Sequence, residues 1–130
     1  MHTRVKDTIL NAEAKALATY GPAGINVVPV SMIRIKDTTI DLFDFFMNKT
    51  MQNLDQTSSV ALVCWSNLEG VQVKGVVTQI KNGPDFDEAK QWVQTQNPDR
   101  VLQTVLRVAP QELFDISPGG AFTHDELTLE

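Results

Sequence analysis

The chain has 130 residues, 42% hydrophobic and 21% charged, and a net charge of −5; this is the size and composition of one globular domain, residues 1–130, with a single core. No apolar run approaches the ~20 residues of a membrane-spanning helix. The acidic balance argues against nucleic acid or an anionic membrane surface as a partner.

The first predicted element is a short amphipathic helix over residues 3–13, with Val5, Ile9 and Leu10 near one face. The opening stretch lacks the apolar core of a signal peptide, and the lone Cys64 has no internal disulfide partner. Both set the expectation of a cytoplasmic protein. "KALATYG" reads as a strand and "GPAG", Gly21 to Gly24, as a turn; "INVVPVSMIRI" and "TIDLFDFF", joined by the turn "KDT", read as two more strands in a meander. A short helix, "KTMQNLDQ", precedes "SVALVCWS" and "GVQVKGVVTQI", two β-branched strands joined through "NLEG", so the sheet has five strands by Lys81. "NGPDFDEAKQWVQTQ" predicts a helix with Pro84 early, acids in its first turn, and Phe86, Ala89, Trp92 and Val93 on one side. "VLQTVLRVAPQELFDIS" supplies one or two final strands, and "PGGAFTHDELTLE" reads as a tail.

Many short strands with tight connections predict a mainly β, antiparallel small barrel with a few helices. A glycine fingerprint after a strand, a P-loop, paired cysteines and His-Glu-x-x-His are all missing from the sequence, so neither a Rossmann site nor a metal site is expected. His2 and His124, near the two ends, receive no role, and Cys64 in "LVCWS" is read as a core thiol. No residue is singled out as catalytic.

Two stretches carry candidate binding chemistry. In "INVVPVS", Pro29 cannot donate to a sheet ladder, which confines it to an edge or to a place where the strand faces something other than a neighbour. Either an edge strand simply ends the barrel there, or a planar heteroaromatic ligand uses the main-chain groups of Val28, Val30 and Ser31 while valine side chains cover its ring. In "FFMNKTMQNL", Asn48 is placed to cap the next helix, whose first amides form an anion seat with Lys49 and Thr50, and Asn53 follows on the adjoining face. The same residues also suit an ordinary solvated helix start. Charge distribution leaves room for one small anion here, because residues 45–83 carry Lys49, Lys74 and Lys81 against Asp55 and Glu69, whereas 84–130 carry three basic groups against nine acidic ones.

In order, "LATYGPAGINVVPVS", "FFMNKTMQNL", "VALVCWSNLEGVQVKG" and "NGPDFDEAKQWV" resemble the FMN-binding split-barrel family related to pyridoxamine 5′-phosphate oxidase, particularly its short flavin-nucleotide-binding members, over about residues 15–118. The resemblance implies a six-stranded antiparallel split barrel and a homodimer holding FMN at the subunit interface. It implies Lys49 and Thr50 on the phosphate and Val28, Pro29, Val30 and Ser31 against the isoalloxazine, with Asn53 carried over as a further cofactor-binding residue. Trp65, Phe43, Phe45 and Phe46 supply aromatic surface for the subunit boundary. The activity implied is an oxidoreductase or flavin reductase fed by a reduced nicotinamide. The alternatives are a non-catalytic flavin-binding or storage protein, a nucleotide-binding regulatory module or deazaflavin-using relative, and pyridoxamine 5′-phosphate oxidase chemistry. Against the last, the closing segment "GGAFTHDELTLE" lacks the basic residues that seat the pyridoxal phosphate in that oxidase.

Overall fold

Two strands that follow one another in the chain lie at opposite edges of the sheet. The structure, a computed structural model, describes residues 1–129. Its elements are α1 (Thr3–Asn11), β1 (Ala14–Thr19), β2 (Asn26–Pro29), β3 (Ile33–Lys36), β4 (Thr39–Asp44), α2 (Asn48–Leu54), β5 (Ser59–Ser66), β6 (Glu69–Ile80), α3 (Pro84–Gln96) and β7 (Thr104–Asp115). The strands form one antiparallel sheet in the order β2-β1-β5-β6-β7-β4-β3. "INVVPVSMIRI", expected as one strand, is two, so the sheet has seven strands rather than six. Laid flat, its edges would stand ~29 Å apart, at about 4.8 Å per strand. Yet only residues 30–32 join β2 to β3, four Cα steps that reach ~14 Å at most. The sheet must therefore curl into a barrel, left split between β2 and β3.

The barrel interior holds Leu17, Ile40, Leu42, Leu62, Cys64, Val71, Val73, Leu106 and Val108, and Val5 and Ile9 of α1 join the same core. Burial pushes the Cys64 thiol up to about 12, against a small opposing effect of Lys15, as fits an inert core group. Where β6 meets β7 the register shifts between Lys74 and Gly75. A Cβ at Gly75 would collide with the Ala109 carbonyl oxygen, so the bulge requires glycine there.

The outer face of the sheet has two halves. Over β3, β4 and β7, α3 lays Ala89 and Val93 on Phe43, Leu102 and Val105. Phe43, expected at a subunit boundary, is instead 2% exposed, with its ring 5.3 Å from that of Trp92. Ion pairs bind the same helix to the sheet. Fully buried Asp41 accepts from Arg107 Nε at 2.8 Å and Nη2 at 3.1 Å, Arg34 grips Glu88 at 2.5 and 2.9 Å, and Arg107 reaches Asp85 at 3.0 Å. The hydrogen bond between Arg34 and Glu88 raises the one group's pKa and lowers the other's. Over β2, β1 and β5 the register sets Val27 against Ala18, Pro29 against Ala16, Ala16 against Val63, Ala18 against Ala61 and Ala14 against Trp65, all on one face. That small, apolar face stays open: Val27 is 62% exposed and Trp65 36%.

The expected tail is packed. Phe122, Leu127 and Leu129 lie against the main core. Burial alone would raise the pKa of Asp115, but main-chain N–H donors of Ala121 (2.6 Å), Phe122 (3.0 Å) and Ser117 (2.9 Å) hold this carboxyl well below the usual range. Arg4 of α1 donates to Glu126 at 3.0 Å and to the Ala121 carbonyl. Among the described residues no helix is long and apolar enough to cross a membrane.

Candidate functional site

β2 is an edge strand, and its register decides which main-chain groups are free. Val30 donates its N–H to Lys15 O at 2.9 Å, and Pro29 stands opposite Ala16. In an antiparallel ladder hydrogen-bonded and non-bonded pairs alternate. Val28 (opposite Leu17) and Val30 therefore turn their polar groups toward β1, while Val27 and Pro29 turn theirs outward. Pro29 thus forfeits no ladder bond. The expectation that Val28 and Val30 offer main-chain groups to a ligand is corrected by this parity: the outward groups are the Val27 N–H and the carbonyls of Val27 and Pro29. The side chains of Val28 and Val30 pack on the main core, Val30 at 8% exposure, and Ser31 is exposed just past the strand.

Helix α2 begins without a side-chain cap. Its N-cap is Met47, not Asn48, because Met51 N–H is the first to bond back, to Met47 O at 2.8 Å. The amides of Asn48, Lys49 and Thr50 precede the helical ladder. The Met47 N–H is taken by the Asp44 carboxylate at 2.8 Å, and Lys49 is exposed.

Thr50 and Asn53 are fully buried. Thr50 Oγ1 accepts from Asn26 Nδ2 at 3.0 Å. Asn53 Oδ1 accepts the Ala23 N–H at 2.9 Å, and its Nδ2 donates to Thr19 Oγ1 at 3.1 Å and to Gly24 O at 2.9 Å. A Cβ on Gly21 would lie 2.9 Å from Asn53 Oδ1, so the glycine turn is shaped to receive this side chain. Of the candidates in α2, Lys49 faces solvent while Thr50 and Asn53 face the glycine turn and the start of β2. Helical spacing put Lys49, Thr50 and Asn53 on adjoining parts of one face; Thr50 and Asn53 do share a buried face, and Lys49 is turned away from them to solvent.

The Asn26–Thr50 bond ties the start of β2 to α2, and the edge then runs five residues, about 16 Å, to Ser31. A cleft of about 570 Å³ beside the start of α2 is lined by Phe46, Asn48, Met51 and Lys81. Another, of about 390 Å³ at the β2–β3 crossover, is lined by Lys15, Ser31, Met32, Trp92 and Arg100. Sequence reasoning missed Asn26, Lys15 and Arg100; the only signal for Asn26 was its place at the head of the strand that carries Pro29.

The profile of the family described as pyridoxamine 5′-phosphate oxidase matches residues 1–117. No curated protein matches the chain. Among solved structures, the chain is similar to a tagged form of the protein HupZ of Group A Streptococcus (20% identity, 95% of this chain and 99% of that one, TM-score 0.79). It is similar too to an FMN-binding protein of Syntrophomonas wolfei subsp. wolfei (20% identity, 88% and 84%, TM-score 0.76). A third similar structure is an F420 reductase (11% identity, 84% and 94%, TM-score 0.65). At these identities the likeness is one of fold.

Proposed function

The chain belongs to the pyridoxamine 5′-phosphate oxidase family, and from that membership we propose that it binds FMN as a homodimer and works as an oxidoreductase or flavin reductase that takes electrons from a reduced nicotinamide. The observation that carries the reading is the outward edge of β2, with its one N–H and two carbonyls, tied through Asn26 to Thr50 in the first turn of the uncapped helix α2. These residues fit the group. Lys49 and the amides of residues 48–50 suit a phosphate. The outward groups of Val27 and Pro29, with the Ser31 hydroxyl, match the donor and acceptor edge of a flavin ring, and the packed side chains of Val28 and Val30 stiffen the strand behind it. Thr50 and Asn53 act by position, holding β2 and the glycine turn at a fixed spacing from Lys49.

When bound, FMN supplies the hydride-accepting ring; the protein supplies placement and electrostatics. The open face of Ala14, Ala16, Ala18, Ala61 and Val63 supports the homodimer, since a second copy would cover it and shield the ring at the boundary. A cytoplasmic setting belongs to the same reading, because reduced nicotinamide is supplied there.

A second reading, a flavin carrier without turnover, is favoured by the side chains themselves: Val28, Pro29, Val30 and Ser31 include no acid or base. A blue-region absorbance scan with identification of the released chromophore tests the cofactor, and oxidation of reduced nicotinamide by the FMN-loaded protein tests turnover. Protein that cannot be loaded with FMN overturns the proposal; loading without turnover leaves the carrier.

A further inference from the structure

We propose that the cleft at the β2–β3 crossover binds a flat ligand bearing one carboxylate or phosphate, with Lys15 and Arg100 holding the charge. Its role as the substrate pocket rests on the flavin reading above; its existence as an anion site does not.

Two cations without a carboxylate partner meet here. Arg4, Arg34, Lys36 and Arg107 each have a carboxylate within salt-bridge distance, and of the basic side chains that have none among the described residues, Lys15 and Arg100 are the two that line this cleft. The chain carries 16 acidic residues against 11 basic ones, yet no acid lines this cleft. Lys15 is half-buried, on the interior side of β1, and its ammonium donates to Ala12 O at 2.8 Å, which leaves two of its three N–H donors. A half-buried cation with only a neutral partner forgoes the counter-charge that normally offsets lost hydration. An anion in the cleft supplies it.

The shape of the charge is equally specific. Arg100 lies with its guanidinium 5.1 Å from the centre of the Phe45 ring, and among the described residues that guanidinium donates to no protein acceptor. Stacking of this kind orients the planar fork and leaves its edges for a carboxylate or phosphate. Trp92 forms an aromatic wall, itself fixed by the Phe43 ring at 5.3 Å and the Arg34 guanidinium at 5.0 Å. Leu10 adds apolar surface and Asn97 an amide donor. Two unpaired cations, a braced indole and the Leu10 side chain select a ring with an acid on it, rather than a free inorganic ion. Ser31 lines the same cleft and lies just past the strand assigned to the flavin, so such a ligand sits where a substrate would.

The test uses flavin-free full-length protein carrying Trp65→Phe, so that Trp92 alone reports by fluorescence. Benzoate, phenyl phosphate, inorganic phosphate and neutral benzyl alcohol are titrated separately. Benzoate or phenyl phosphate should bind at least about tenfold tighter than benzyl alcohol and inorganic phosphate, the factor expected from one charge-assisted contact. Arg100→Gln and Lys15→Met should each remove about tenfold of that advantage. Arg100 is exposed, so its variant keeps the test meaningful if Lys15→Met disturbs the strand. Equal affinity for benzoate and benzyl alcohol, or unchanged affinity in both variants, overturns the proposal. So does inorganic phosphate binding as tightly as phenyl phosphate, since it would show a bare anion site. FMN affinity, read separately by flavin fluorescence, keeps the two readings apart: FMN binding without anion preference defeats only this inference, and anion preference without FMN binding defeats only the flavin reading.

Discussion

Asn53 Oδ1 accepts the main-chain N–H of Ala23, thirty residues away in sequence, at 2.9 Å. With both Nδ2 protons also spent, on Thr19 and Gly24, this one side chain closes the glycine turn onto α2. Asn53→Ala should leave a buried hydroxyl, a carbonyl and an N–H without partners, and lower stability by about 2–3 kcal/mol. Urea unfolding monitored by tryptophan fluorescence checks it. A loss under ~0.5 kcal/mol would mean that water replaces the amide.

Lys49 behaves oppositely, because it is exposed and bears no structural bond. Lys49→Ala should weaken FMN by about tenfold or more while riboflavin, which lacks the phosphate, changes little. The thermal midpoint should stay put. Equal losses for both ligands would remove Lys49 from the phosphate.

Pro29 stands at an outward position opposite Ala16, so Pro29→Ala adds an N–H to the free edge without touching the ladder. Stability should change by no more than ~0.5 kcal/mol, as at an ordinary surface site. FMN affinity should shift, because a new donor then faces the ring and the backbone loses its fixed φ. Both are measured on one variant; unchanged affinity would take the β2 edge out of the site.

Ala16 and Val63 face each other at the middle of the open sheet face. Light scattering at micromolar concentration should give twice the chain mass of 14.4 kDa, and Val63→Glu, a charge set in the middle of that face, should give the single-chain mass with far-UV circular dichroism retained. A wild-type mass near 14.4 kDa would refute the dimer.

Asp115 sets an acid limb. Its folded pKa lies below the unfolded carboxylate value of about 3.9. Its contribution is therefore fully present above that value and is lost as pH falls through the folded one. Asp115→Asn should flatten the fall of stability below about pH 4 and speed amide exchange at Ala121 and Phe122, read by hydrogen exchange with mass spectrometry. An unaltered acid limb would assign it to other carboxylates.

The strands were legible because alternation survives in sequence: Ala14, Ala16 and Ala18 face out while Leu17 faces in, and Cys64 lies in the core as its apolar neighbours suggested. The break at Ser31 was not, since "INVVPVSMIRI" stays apolar across a point where only the curl of the whole sheet separates two strands. Asn53 was found and misdirected, because a spacing of three or four residues fixes a shared face but not what lies opposite it. The ladder from Glu88 through Arg34 to Asp41 joins residues made neighbours by the fold alone, and nothing local announces it. The closing segment looked solvated because its anchors, Arg4 and Asp115, lie outside it.

The three-residue link across the split also fixes a direction. Six antiparallel pairings separate β2 from β3, so the two edge strands run the same way, and the chain passes from one to the other without reversing. β2 and β3 are thus two halves of one bent strand, the first half laddered to β1 and the second to β4, with Asn26 at its beginning and Lys36 at its end. Residues 30–32 therefore act as the fold's clasp: a change in their length or stiffness moves both lips of the split at once.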